Sequence, residues 1–571
     1  MRYCCALALL VCRAACAQSS ISEQDRLIAT ARLWGTVKYF HPYLAYRKID
    51  WDKALVDALP MIRAASNAAD YAKALGVMLD ALQDPVTIAR IGPVDAVRDF
   101  LNSSPSQRTW IHFGLGLDES AFVARAGLPQ VETLKLSMGD GVEAVVRLSE
   151  PVSAEATALV PPPGIEVADP EMRYPAVGYR VVAAYKIWTV FHYFFAYRDL
   201  MDEDWDDVFA SFLPKFIAAK DAREYNLTVA EMVTHVSDSQ ARVESEELWN
   251  YFGEAPVGLR MRLIEKKPVI AEVLDEDAKK AGVQPGDIVT SVDGENIIER
   301  INRETKYIAW STQQSLADRA MAVILNGPEG SKAALTIRGE NGQTKQITLK
   351  RSEDYVEALA RQRSGDVVKV LPGNIGYVDL NRCTYSDIDG IFKTLDKTKA
   401  IVFDGRGPAM GVVKRLPAHL TTHTDVAAAI VTGPVVLAPD VAGNGQLTAT
   451  ASSFRVEALA PPVSPTYSGK TVMLIDERTR GEAELTGLSL EAANNTAFVG
   501  SASAGATGMV GGFVVPGPIH ITYSSTDVRH GNGGKLQRLG LQPAELVTPS
   551  VAGVRAGRDE VLERAVEYVS H

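Results

Sequence analysis

Residues 470–507 read KTVMLIDERTRGEAELTGLSLEAANNTAFVGSASAGAT, and the order of residue types in that stretch decides the architecture around it. An apolar run ends at Asp476, a charged turn follows, and a helical stretch runs from about Glu482 to Ala493. A second apolar run, TAFVGSAS, then closes on small residues. Two buried-type strands joined by a helix mark an α/β layer. The alternation continues outward through NIGYVDLN from 374, a helix through Ile391 and Phe392, KAIVFDGRG from 399, GPVVLAP from 433, and an amphipathic helix after Gly557-Arg558-Asp559-Glu560. The region 353–571 is therefore expected to be one α/β core.

The rest of the chain needs other parts, since 571 residues are enough for about three to five domains. With 46% hydrophobic and 23% charged residues the composition is that of a globular protein. The net charge is −11, and no run of five like charges interrupts it, so the electrostatic footprint for nucleic acid or anionic lipid is missing. Residues 1–17 carry Arg2 ahead of a short apolar run, Arg13 after it and small residues before Gln18, a pattern that reads as a secretory signal and so as export to the periplasm or medium. Cys4, Cys5, Cys12 and Cys16 lie inside it, which leaves Cys383 alone and no internal disulfide in the mature chain. No later stretch is long and apolar enough to span a membrane.

Two segments repeat each other: ARLWGTVKYFHPYLAYRKIDWDKALVDALP from Ala31 and AYKIWTVFHYFFAYRDLMDEDWDDVFASFLP from Ala184. Trp34 and Trp51, like Trp188 and Trp205, stand 17 apart, and Pro60 and Pro214 keep the same offset between copies. Apolar residues at helical spacing make each copy a helical unit, expected over 18–100 and 171–253, with a β segment and Pro-rich linker over 101–170. His41, before Pro42, reads as a helix-end residue. From 254 to 352 the pattern shifts to VGLRMRLI, KPVIAEVL, AKKAGVQPGDIVTSVDGENI and AALTIRGENGQTKQITLK, that is, short strands, a short helix and Gly turns. This region resembles a PDZ domain. The resemblance implies that Val257, Gly258 and Leu259 offer backbone N–H groups to a chain-terminal carboxylate, with the peptide added to the sheet edge.

In the last third, Ile375-Gly376-Tyr377-Val378, Val402-Phe403-Asp404-Gly405-Arg406-Gly407, Leu474-Ile475-Asp476-Glu477 and Leu539-Gly540-Leu541-Gln542-Pro543 follow one another in the order of a known core. With the helical repeats and the PDZ-like module ahead of it, the chain resembles the tail-specific, or C-terminal-processing, serine peptidases and their tricorn relatives. That resemblance implies a ClpP/crotonase-like layering of the core, a serine nucleophile with a lysine or histidine base, no cofactor, no metal, and an unstructured polypeptide as partner.

The catalytic positions themselves are substituted. The nucleophile precedes a glutamate by three residues, here Glu484, and its place is held by Gly481. The lysine position is Ala506, and the histidine of the tricorn-like branch falls on Gln240 in Asp238-Ser239-Gln240-Ala241. The glutamate that helps orient that site near the C-terminus appears as Gln537. A neutral amide is no general base and an alanine takes no proton. What the resemblance leaves in place is an oxyanion hole at Gly407 and Glu482. The expected function is accordingly a peptide-binding pseudopeptidase. The alternative is an active serine-type endopeptidase that uses a displaced nucleophile, Ser501, Ser503 or Ser524, with His520 or His530 as base.

Two further patterns carry less. Residues 500–507 have the glycine spacing of a phosphate loop but place Ala506 where its lysine is needed. His419 and His423 are four apart, yet His-Leu-Thr-Thr-His lacks the glutamate of a zinc protease motif, which leaves them as structural or surface histidines.

Overall fold

The computed structural model describes residues 21–93, 107–115, 120–124, 132–151, 172–361, 363–408, 411–412, 414–439 and 450–571. The signal expected over 1–17 and the Pro-rich linker near 158–164 lie outside the described residues. What is described is a mixed α/β, multidomain protein with several sheets and many helices.

The tryptophans that set the repeat do the same work twice. Trp51 Nε1 donates to the Trp34 carbonyl at 3.0 Å, and Trp205 Nε1 donates to the Trp188 carbonyl at 3.0 Å. Each bond pins the start of a second helix, Trp51–Ala64 or Trp205–Ala218, to the first, Glu23–Phe40 or Val177–Phe194. Asp50 and Asp204 cap those second helices by accepting backbone N–H groups of their first turns. A pair the sequence reading passed over, Arg26 and Arg180, repeats as well: Arg26 Nε donates to the Ile62 carbonyl at 3.2 Å and Arg180 Nε to the Phe216 carbonyl at 2.8 Å. Both arginines are buried and tie the C-terminal end of the second helix back to the first. The two copies share one apolar cluster, which also takes in Ile519, Ile521 and Tyr523 from the strand Ile519–Ser524. His41 caps the short helix Pro42–Tyr46, its Nδ1 accepting from the Tyr43 amide at 3.2 Å.

Residues 259–350 form a six-stranded antiparallel sheet in the order Thr344–Lys350, Lys332–Arg338, Ile288–Val292, Lys267–Val273, Leu259–Ile264, with Glu295–Asn296 paired to Ile288–Val292. Leu259–Ile264 is its edge, and the helix Gln313–Val323 packs beside that edge.

The α/β core holds a second six-stranded sheet: Val368–Leu371, Ile375–Asp379, Ala400–Asp404, Lys470–Ile475, Ala497–Gly500, Glu545–Leu546. The first pair is antiparallel and the others are parallel. Both faces are covered, as parallel sheets require. Ile401, Phe403, Met473 and Ile475 face one apolar cluster, while Val402, Val472 and Leu474 face another with Val561 and Ala565 of the closing helix Glu560–Ser570. One expectation changes here. GPVVLAP does not join this layer: its strand, Ala427–Val436, pairs with Thr450–Ala458, Asp527–His530 and Gln107–His112 in a separate sheet. Its burial alternates along the strand, whereas Ala400–Asp404 is buried at every position, and alternation is the mark of a sheet with only one covered face.

Candidate functional site

Ala400–Asp404 and Lys470–Ile475 run parallel with Asp404 opposite Leu474, so the loops that follow them leave the same edge of the sheet. This C-terminal edge is where α/β sheets place their ligands. Hydrogen bonds fasten the two loops together: Gly405 N–H donates to the Leu474 carbonyl at 3.0 Å and Thr479 Oγ1 to the Gly405 carbonyl at 2.8 Å. Arg406 bridges Asp404 and Asp559, each at 2.7 Å. Burial raises the Asp404 pKa, but Arg406 and Arg363 outweigh it and hold the carboxyl down at about 2.

The second loop ends at Gly481, where the helix Glu482–Asn494 begins. Gly481 has φ +59° and ψ −122°, a strand-to-helix turn that strains any residue with a side chain. The same sharp turn exposes the nucleophile in hydrolases built on a nucleophile elbow. A Cβ placed on Gly481 would meet no atom within 4 Å, so the position faces open space. Its amide donates to the Ala506 carbonyl at 2.9 Å.

Glu484, in the first turn of that helix, is wholly buried and accepts from the Ser503 and Thr507 hydroxyls, from Gly505 N–H at 2.7 Å and from Ala506 N–H at 3.0 Å. Burial pushes its pKa up against those four donors. A carboxylate with this set of partners is the clamp that shapes the 503–507 turn. From there the network runs on. Thr507 N–H donates to Gln537 Oε1 at 3.4 Å, and Gln537 Nε2 donates to Asp238 Oδ1 at 3.3 Å and to Ser311 Oγ at 3.4 Å. Asp238 also accepts from Gln240 N–H at 3.0 Å, Ser524 N–H at 2.8 Å and Ser524 Oγ at 3.1 Å, and burial raises its pKa too.

The structure thus brings Gly481, Ala506, Gln537 and Gln240 onto one continuous chain of hydrogen bonds. The Gln240 side-chain Nε2 is buried and finds no acceptor. Gly407, at φ +130°, lies in the first loop and Glu482 opens the helix after the second, and among the described residues neither backbone amide donates a hydrogen bond. Glu482 Oε1 instead receives Gly411 N–H at 2.7 Å, a further tie between the loops. The carboxylates at the centre of this network, Asp238 and Glu484, entered the sequence reading only as landmarks for their neighbours. An acid amid Ala483, Thr486 and Gly487 was the signal available for Glu484, while nothing in the sequence marks Ser311.

The displaced serines are elsewhere engaged. Ser503 is fully buried between Glu484 and the Leu541 amide, and Ser524 is fully buried on Asp238. Ser501 is half-buried, and its amide donates to the Ile475 carbonyl at 3.1 Å. His520 is exposed on its strand and His530 pairs with Glu491 at 3.0 Å, so among the described residues no histidine or lysine hydrogen-bonds any of these serines. His419 stacks on Phe392 at 4.4 Å and bonds Asp389 at 2.9 Å just past the helix Arg415–Ala418, so it shares no helix face with His423. Among the described residues no group of His, Cys, Asp and Glu side chains is placed to hold a metal ion, and no helix is long and apolar enough to cross a membrane.

Val257, Gly258 and Leu259 lie at the start of the edge strand and are buried. Leu259 N–H donates to the Val257 carbonyl at 2.7 Å, and the Gly258 carbonyl accepts from Leu274 N–H and Asp275 N–H. A Cβ on Gly258 would stand 2.6 Å from the Tyr355 ring, whose hydroxyl reaches Asp275 at 2.9 Å.

Neither the family models nor the curated proteins match the chain. Solved structures do. A mutant of CPAF superposes with a TM-score of 0.54 at 12% identity over 69% of this chain and 97% of that one. Mature CPAF gives 0.51 at 12% identity over 69% and 96%. Mature CPAF complexed with lactacystin gives 0.50 at 12% identity over 69% and 98%. Identities this low establish that the chain shares the fold of these structures.

Proposed function

We propose that this protein binds unstructured polypeptide in the cleft between Gly407 and Gly481 and does not hydrolyse it, so that it acts as a pseudopeptidase. In this reading the 259–350 sheet serves as a PDZ domain and the core has ClpP/crotonase-like layering. Gly407 and Glu482 keep the amides of an oxyanion hole. One observation carries the reading: positions 240, 481, 506 and 537 lie on one continuous hydrogen-bonded chain, while none of them holds a serine, lysine or histidine. Catalytic groups of this kind act as a unit, and losing all of them leaves only the contribution of the oxyanion hole, roughly a thousandfold over water. The open space and retained turn at Gly481 support a cleft still shaped for an extended chain.

The test is incubation of the purified chain with a quenched, unstructured peptide library, read both as turnover and as anisotropy. Binding without turnover is the expected result, and turnover that tracks the purified chain overturns it.

A further inference from the structure

Directly after Gln240 the chain enters the wall of a groove of about 250 Å³, lined among others by Arg242, Trp249, Phe252, Tyr307, Arg319 and Val323. Two guanidinium groups, those of Arg242 and Arg319, line this groove, and a third, that of Arg480, stands close enough to repel both. Arg242 comes from the strand Arg242–Glu244, Arg319 from the helix Gln313–Val323, and Arg480 from the residue just before Gly481. None of them makes an ion pair among the described residues. Arg319 is pinned by donating Nη1 to the carbonyls of Ser239, at 3.0 Å, and Ala309. Burial, with Arg242 and Arg480 near it, pushes Arg319 down to about 9. Arg242 is lowered by burial and then by Arg480.

The acids in reach do not neutralise this set. Asp238 is taken up by its own donors, and Asp318 is pushed up to about 6 by burial and by Glu477. Glu244, an exposed acid on the groove wall, makes no ion pair among the described residues. Crowding like charges without partners in a partly desolvated groove is destabilising, and a bound anion relieves it. The neighbouring Trp249, 58% exposed, offers an apolar surface alongside.

We propose that this groove is a carboxylate-binding subsite of the peptide cleft, in which Arg242, Arg319 and Arg480 receive one acidic group of the ligand and the aromatic wall packs the residue next to it. The inference rests on the peptide-binding reading above and adds a ligand class to it. A chain-terminal carboxylate and an acidic side chain present the same chemistry, so the experiment separates them.

The full chain is titrated by fluorescence anisotropy into labelled unstructured peptides of one length. One carries glutamates and a free C-terminus, one glutamates with an amidated C-terminus, one glutamines with a free C-terminus, and one glutamines with an amidated C-terminus. The expected result is at least tenfold tighter binding of an acidic peptide than of the fully neutral one. That preference is lost in the Arg242→Gln/Arg480→Gln variant and weakened by salt, with the neutral peptide unaffected. A preference that follows the free terminus assigns the chain end, and one that follows glutamate assigns the side chain. The single Arg480→Gln variant, which loses no hydrogen bond of the folded state, guards against misfolding of the double variant. Equal binding of all four peptides, or equal weakening of all four in the variants, overturns the subsite alone. Absence of binding by every peptide overturns the peptide-binding reading together with it.

Discussion

Two sets of charged side chains border the same cleft under opposite conditions. Asp238 and Glu484 are fully buried, Glu484 surrounded by four donors of the 503–507 turn and Asp238 by donors from Gln240, Ser524 and Gln537. Arg242, Arg319 and Arg480 keep some access to solvent and make no ion pair among the described residues. A buried charge that is saturated with hydrogen bonds holds structure, and truncating it leaves its donors stranded. A crowded charge that is left unsatisfied costs stability and has its use in a ligand. The cleft therefore keeps its frame through the acids and its recognition through the arginines, while the positions in between, Gly481, Ala506 and Gln240, carry no reactive group.

This contrast can be broken at either side. The largest effect is expected from Glu484→Ala, which strands two hydroxyls and two amides in the interior. It should destabilise the core by about 3–5 kcal/mol, read from chemical denaturation of the full chain. Glu484→Gln should recover part of that loss. A loss below about 1 kcal/mol would remove the framing role of the acids. Next comes Gly481→Ala, which meets no neighbour within 4 Å yet imposes a side chain at φ +59°. The strain predicts about 1–2 kcal/mol, and no change in stability would mean that the turn relaxes. Arg480→Gln should alter stability by less than about 0.5 kcal/mol, or raise it slightly, because it relieves repulsion with Arg242 and Arg319 and breaks no hydrogen bond.

The smallest effect is one of pH. The Asp318 carboxyl is raised to about 6 by burial and by Glu477, so its contribution to stability is fully present below the usual aspartate range, near pH 4, and is lost as the pH rises through 6. Elsewhere His112, pushed down to about 4 by burial, acts in the reverse sense, favouring the fold above pH 6.5 and losing that contribution as the pH falls toward 4. The difference between the natural chain and Asp318→Asn isolates the first group. The natural chain should lose stability relative to the variant between pH 4 and 6, and a constant difference across that window would contradict the assignment.

Much of the frame was legible because it is written in local order. The strand words at 375, 402 and 474 announce buried parallel strands by unbroken apolar character, and the 17-residue spacing of the tryptophans announces the helical repeat. The candidate positions Gly481, Ala506 and Gln240 were each read against a motif, and Gln537 only by its place near the C-terminus. The working parts of the site were less legible. Arg26 and Arg180 repeat at the tryptophan offset, yet their partners are carbonyls, which carry no side-chain signature. The Asp238–Gln537 bond joins residues 299 apart, and the groove is lined by Arg242 and Arg319 with Arg480 near both. Convergence of that kind is made by tertiary packing, and no local pattern records it. GPVVLAP read as a core strand because Val435-Val436-Leu437 is an unbroken apolar run, whereas the alternation that marks a sheet with one covered face shows only in the burial of the whole strand Ala427–Val436.

The central claim is that the cleft is assembled without a nucleophile. A fluorophosphonate probe, which reacts with activated serine hydroxyls, tests it directly on the natural chain beside a Gly481→Ser/Gln240→His variant. The account predicts no labelling of the natural chain and labelling of the variant, whose new hydroxyl would project into the open space at position 481. Stoichiometric labelling of the natural chain at Ser501, Ser503 or Ser524, abolished by alanine at that serine, would contradict it.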